Sequence, residues 1–101
     1  MLERLEHFIQ KLKVEKNYSE NTINSYLYDL RSFEDYLKKR KFSFKKSFKD
    51  QSVFKNYFRL LARKKLSPKT IKRKYSSLST YINFLIDIKV IKINPLNGIY
   101  T

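Results

Sequence analysis

The 101-residue chain has no cysteine, a single histidine, a single glycine and two prolines. Each scarcity excludes something. Without cysteine there is no disulfide frame, no thiolate zinc site and no cysteine nucleophile. One histidine, His7, excludes the usual histidine-rich metal clusters, and no metal or other cofactor is expected. One glycine, Gly98, leaves no Gly-rich loop to cradle a phosphate. No apolar run approaches the ~18 residues of a membrane span. The start, Met1 to Glu6, is acidic and basic by turns, unlike a secretion signal. A cytoplasmic protein with no membrane partner is expected.

What the chain has is positive charge. Lys and Arg number 23 against nine Asp and Glu, for a formal net charge of +14 and a pI near 10.0. Charge of that size attracts polyanions and says nothing about fold. Its placement is sharper. From Lys38 to Lys74 there are sixteen Lys or Arg and one acid, Asp50, while the first 37 residues hold seven of the nine acids. A like-charged block this long repels itself and points to an anionic partner. The competing reading is a solvated basic surface with no ligand.

The most strongly patterned stretch is Leu66 to Leu85. Ser67 is a good N-cap, and Pro68 suits the first helical position, where no amide is needed. Ile71, Tyr75, Leu78, Ile82 and Leu85 then fall at steps of four, three, four and three, which is one stripe of a helix. The opposite side carries Lys69, Arg73, Ser76 and Thr80, flanked by Lys72 and Ser77. It offers cations and hydroxyls and no carboxylate, a combination suited to a phosphate backbone.

Three other helices are expected. The first covers about residues 2–15, with Leu2, Leu5, Phe8, Ile9 and Leu12 on one side and His7 off that stripe. The second covers 19–39, capped by Ser19, with Ile23, Tyr26, Leu27, Leu30, Phe33 and Leu37 inward. Its other side shows Asn21, Asn24, Ser25, Tyr28 and Ser32, which either approach base edges and phosphates or form an ordinary polar surface. The third covers 50–64, capped by Asp50, with Val53, Phe54, Tyr57, Phe58 and Leu61 inward. The Leu66–Leu85 stretch lies in the fourth, 67–87. Lys38 to Lys49 reads as an irregular connector. Its Phe42, Phe44 and Phe48 either stack on bases or anchor the connector to the bundle while the lysines stay wet, the reading preferred here. Ile88 to Ile93 packs back on the bundle, and Asn94-Pro95 stops regular structure. The expected fold is all-α, a compact four-helix bundle over residues 1–95, with 96–101 starting a linker.

Nothing in the chain assembles an active site. No pair of acids sits in an apolar setting that would separate their pKa values. The one histidine, on the solvent side of the first helix, supplies no triad. Tyr26, Tyr57, Tyr75 and Tyr36 lie on or near core stripes, with their hydroxyls expected at the bundle edge.

Three segments in order resemble the N-terminal core-binding, SAM-like domain of the tyrosine recombinases, the phage-integrase and Xer-like site-specific enzymes. Tyr18-Ser19-Glu20-Asn21-Thr22-Ile23-Asn24-Ser25-Tyr26-Leu27-Tyr28-Asp29-Leu30-Arg31-Ser32-Phe33 resembles the family's second helix. Leu66-Ser67-Pro68-Lys69-Thr70-Ile71 through Leu78 and Phe84-Leu85 resembles its last main helix. Ile91-Lys92-Ile93-Asn94-Pro95 resembles the hand-over to the catalytic domain. Lys89 departs from the pattern, since the family often has glycine there. The family's catalytic residues belong to a following domain; no His-x-x-Arg occurs here, and Tyr100 is not taken as a nucleophile.

The resemblance implies a non-catalytic domain that closes over duplex DNA with its second and fourth helices toward the major groove. The candidate DNA-binding residues are Ser19, Asn21, Thr22, Asn24, Ser25 and Tyr28, and Lys69, Thr70, Lys72, Arg73, Lys74, Ser76, Ser77 and Thr80. The implied partners are double-stranded DNA, a C-terminal catalytic domain of the parent chain and other recombinase protomers on DNA. The alternative is a small basic helical accessory protein that binds DNA, RNA or a protein partner, with no recombinase attached.

Overall fold

The chain folds from helices whose starts are written into short polar side chains. In the computed structural model, which describes residues 4–99, five helices follow one another: α1 (Leu5–Val14), α2 (Glu20–Lys39), α3 (Phe44–Ser47), α4 (Gln51–Arg63) and α5 (Pro68–Asp87). Four of them begin on a capping side chain. Ser19 accepts the amide of Thr22 at 3.2 Å, Ser43 that of Lys46 at 3.2 Å, Asp50 that of Ser52 at 3.0 Å and Ser67 that of Thr70 at 3.1 Å. Each bond satisfies one of the orphan donors of a first helical turn. Asp50 also accepts from the Ser52 hydroxyl, and these hydrogen bonds hold its carboxyl below its ordinary pKa. Pro68 occupies the first turn of α5, as its missing amide allows.

The helix ends share a second device. After α2, α4 and α5 the chain reverses through Lys41 (φ 55°), Lys65 (φ 61°) and Lys89 (φ 64°). Around each, the amide of the lysine bonds back three residues, to Lys38, Ala62 and Ile86. The amide of the next residue bonds back five: Phe42 to Leu37 at 3.0 Å, Leu66 to Leu61 at 3.4 Å and Val90 to Leu85 at 2.9 Å. This is the Schellman closure, with an apolar residue just past the turn packed toward the last helical turn. Lys89, the departure from the family pattern, therefore adopts the backbone that glycine would. The one glycine, Gly98, holds a left-handed φ of 79° in the turn that ends the described chain.

The core is aromatic. Phe33 stacks on Phe54 at 4.9 Å and meets Tyr57 edge-on at 5.0 Å, joining α2 to α4. Phe8 of α1 meets Tyr81 and Phe84 of α5, both at 5.3 Å. Such pairs add about 0.5–1.5 kcal/mol beyond their area burial. Val53, Phe54, Tyr57, Phe58 and Leu61 of α4 are all buried, as its periodicity predicts.

Four expectations are corrected. The connector 38–49 is not wholly irregular, because Ser43 caps the single turn α3. Phe44 of that turn packs edge-on against Phe33 and Tyr81, while Lys45, Lys46 and Lys49 stay exposed. The bundle thus has four long helices and one short one. The first helix starts at Leu5, since the left-handed backbone of Arg4 (φ 55°) cannot lie within a helix; the expected stripe residue Leu2 lies outside the described residues, as does Tyr100. On α5 the buried arc is wider than one stripe. It takes in Lys74, Ser77, Tyr81 and Phe84, because α1, α2 and α4 all pack on this helix. Finally, the Tyr57 hydroxyl does not reach the bundle edge. It is buried and finds no hydrogen-bond partner among the described residues.

The last described segment is packed as well. Leu96, expected to open the linker, is fully buried; Asn94 Oδ1 accepts its amide at 2.8 Å, and Gln51 Nε2 reaches the Asn97 carbonyl at 2.6 Å.

Candidate nucleic-acid interface

The two longest helices, α2 and α5, lie against each other and are joined by one carboxylate. Asp29 sits midway along α2 with its side chain wholly enclosed. Arg73 Nη2 donates to its Oδ1 at 2.8 Å and Arg73 Nε to its Oδ2 at 3.2 Å. Lys74 Nζ adds a bond to Oδ1 at 3.2 Å, and the Ser77 hydroxyl one to Oδ2 at 2.7 Å. Four donors fill the four lone-pair positions of the carboxylate, which is the condition for burying it. Two cations on one anion leave the cluster with a net positive charge. Lys74 Nζ also lies 4.9 Å from the centre of the Tyr28 ring, whose residue is 65% exposed.

Around this seam the outward residues carry hydrogen-bonding groups, and the exposed acids of the two helices, Glu20, Asp35 and Asp87, lie toward the helix ends. Asn21, Thr22, Asn24, Ser25 and Tyr28 are exposed on α2, and Lys69, Lys72, Arg73 and Ser76 on α5. Some polar groups are occupied internally. The hydroxyls of Ser19 and Thr22 bond each other at 3.0 Å, and those of Ser67 and Thr70 at 2.9 Å. Ser25 donates to the Asn21 carbonyl at 3.1 Å. Thr80 is half-buried and hydrogen-bonds Tyr26, a phenol that burial pushes above its ordinary pKa. Lys74 and Ser77 are buried with Asp29 and do not reach the outer face. Of the candidates, then, twelve lie on or at the edge of that face and two lie within the seam.

Asp29 itself escapes a reading by periodicity, since it falls on neither the apolar stripe nor the polar side of its helix. Its sequence signals are a carboxylate in mid-helix, flanked by Tyr28 and Leu30, and its place, with Leu30, in the stretch that resembles the family's second helix; neither gives it a role.

A second cationic surface lies elsewhere. An open groove of about 960 Å³ runs between α3 and residues 88–97, with Lys45, Lys46, Lys49, Lys89 and Lys92 along it. Its floor is Phe48, Ile88, Val90 and Ile91. Phosphate oxygens lose hydration over an apolar floor and gain no hydrogen bonds there. The α2–α5 face, polar apart from the Tyr28 ring, suits a duplex better.

Comparison with known proteins finds relatives along nearly the whole chain. The family model described as "Phage integrase, N-terminal SAM-like domain" matches residues 5–89. Tyrosine recombinase XerC of Leptospira interrogans is 38% identical over 95 residues, covering 92% of this chain and 30% of the relative. Tyrosine recombinase XerD of Rickettsia bellii is 35% identical over 98 residues, 97% of this chain and 32% of the relative. XerC of Anoxybacillus flavithermus is 34% identical over 90 residues, 87% and 29% respectively. The chain therefore spans about 30% of the length of these relatives. No solved structure matches it. With a family model covering all five helices and relatives aligned along nearly its whole length, the chain belongs to the phage integrase N-terminal SAM-like domain family.

Proposed function

We propose that the chain is the DNA-binding domain of a tyrosine site-specific recombinase and grips the recombination half-site through α2 and α5. The observation that carries this reading is the face of amides, hydroxyls and cations formed by Asn21, Asn24, Ser25 and Tyr28 of α2 and Lys69, Lys72, Arg73 and Ser76 of α5, joined by the Asp29 seam. Lys69 and Lys72 supply phosphate affinity, and the amides and hydroxyls of Asn21, Asn24, Ser25, Tyr28 and Ser76 meet the groove. At the two helix starts the amides of Thr22 and Thr70 are taken by their caps and Pro68 has none, so Glu20, Asn21 and Lys69 supply the backbone amides offered to phosphates. Arg73 lies at the centre of the face. Lys74 and Ser77 hold Asp29 and are not contacts.

In this reading the chain breaks no strand by itself. That chemistry belongs to a C-terminal catalytic domain of the parent enzyme, which acts with other protomers on duplex DNA in the cytoplasm. Among the described residues no helix is long and apolar enough to cross a membrane.

A gel-shift titration on duplex DNA tests the mechanism. With about six phosphates neutralised, affinity falls roughly a thousandfold between 50 and 200 mM salt. Binding insensitive to salt excludes it.

A further inference from the structure

The buried carboxylate at the α2–α5 seam does more than join two helices. Asp29 takes the Nε and one Nη2 hydrogen of Arg73, the side-on edge of the guanidinium. A guanidinium has five N–H donors in one plane. The three that remain, two on Nη1 and one on Nη2, make no hydrogen bond among the described residues, and the side chain is half exposed. They include an end-on pair on the far side from Asp29. Lys74 and Ser77 fill the rest of the carboxylate, so it cannot turn away without breaking their bonds.

Two functions are open to such a group, and charge decides between them. A carboxylate at 2.8 Å cancels much of the field of the guanidinium, which makes Arg73 a poor general phosphate anchor. Lys69 and Lys72, exposed and without a carboxylate partner among the described residues, are better ones. Fixing the plane, on the other hand, removes the rotamer freedom that an arginine otherwise loses on binding, and leaves a fork of set direction. A fork of that kind reads a pair of acceptors, as the O6 and N7 atoms of guanine present in the major groove.

We propose that Asp29 is a positioning residue that holds Arg73 as a rigid end-on fork for one guanine, and so governs base preference rather than overall affinity. The inference rests on the DNA-binding reading above.

The test is a selection from a duplex pool whose central helical turn is randomised, with sequencing of the bound fraction. The chain is compared with Arg73→Lys, Asp29→Asn, and Asp29→Asn combined with Lys74→Met. The double variant removes the buried ammonium that Asp29→Asn leaves uncompensated, and so preserves the fold if the single variant does not. Melting curves show which proteins are folded. The chain enriches guanine at one position. That enrichment drops about tenfold in Arg73→Lys and, at the same position, in a folded Asp29 variant, with the rest of the motif intact. A purely structural role for Asp29 would weaken all positions together. A folded Asp29 variant that keeps the guanine lost by Arg73→Lys overturns the proposal, as does a guanine indifferent to Arg73→Lys. If neither Asp29 variant folds, Asp29 is a structural residue and the proposal falls. Bound DNA with no preferred position overturns the proposal while the DNA-binding reading stands; no bound DNA overturns both.

Discussion

Tyr57 shows how a single residue can be well packed and poorly satisfied at once. Its ring belongs to the core, against Phe33 and Tyr36, yet its hydroxyl is buried without a partner among the described residues. Burial, and after it the neighbouring charge of Asp29, push its phenol well above the ordinary tyrosine value. The sign of the pH effect follows. A folded-state pKa raised above the unfolded one gives stability that is complete below the unfolded value, about 10, and is lost as pH rises beyond it. Urea unfolding at a series of alkaline pH values should show this decline, and Tyr57→Phe should flatten it. At neutral pH the same substitution removes an unsatisfied buried group, so stability should hold or rise by about 1 kcal/mol. A loss of stability would show that the hydroxyl has a partner. Asp29 is the residue-scale contrast, a buried polar group with every acceptor position filled. Both escape the eye in sequence for one reason. Hydrophobic periodicity reports which side of a helix is inward, but not whether an inward polar atom meets a partner. The partners of Asp29 lie 44 to 48 residues away.

At the scale of elements, local signals were legible and contacts between elements were not. The caps Ser19, Asp50 and Ser67, Pro68 and the whole apolar face of α4 can be read directly, because they depend on neighbours within one or two turns. α3 was missed because a single turn is too short to show a period. The extra buried residues of α5 were missed because their burial comes from three other helices. Lys74 and Ser77 are the telling pair. Their polarity assigns them to the outer face, and only the carboxylate on α2 draws them in. The repeated Schellman ends carry a prediction of their own. Lysine in the left-handed region costs roughly 1 kcal/mol that glycine does not incur. Lys89→Gly should therefore stabilise the chain by about 1 kcal/mol, raising Tm by about 4–8 °C. Lys89→Ala loses the charge and keeps the strained backbone, so it should show no such gain. Equal melting temperatures for the two variants would show that φ at this position is not the controlling term.

The whole molecule measures 36 × 28 × 26 Å, with a radius of gyration of 13.2 Å. Its longest dimension matches one turn of B-DNA, about 34–36 Å. In the proposed function one chain covers at most about one helical turn, roughly ten base pairs, and a hydroxyl-radical footprint at low protein concentration measures this. Protection over two turns would require a second chain. In the proposed function the net charge of +14 acts at this scale too, drawing the domain onto any duplex before a sequence is read. The Asp29 seam then sets a mechanical condition. Because four hydrogen bonds tie α5 to α2, the spacing between the two helices that would, in the proposed function, enter the groove is a fixed length, like the gap between the jaws of a calliper. Groove width and local twist must come to that length from the DNA side. Base steps lying between the contacted ones, which no side chain touches, thereby enter the affinity through their stiffness.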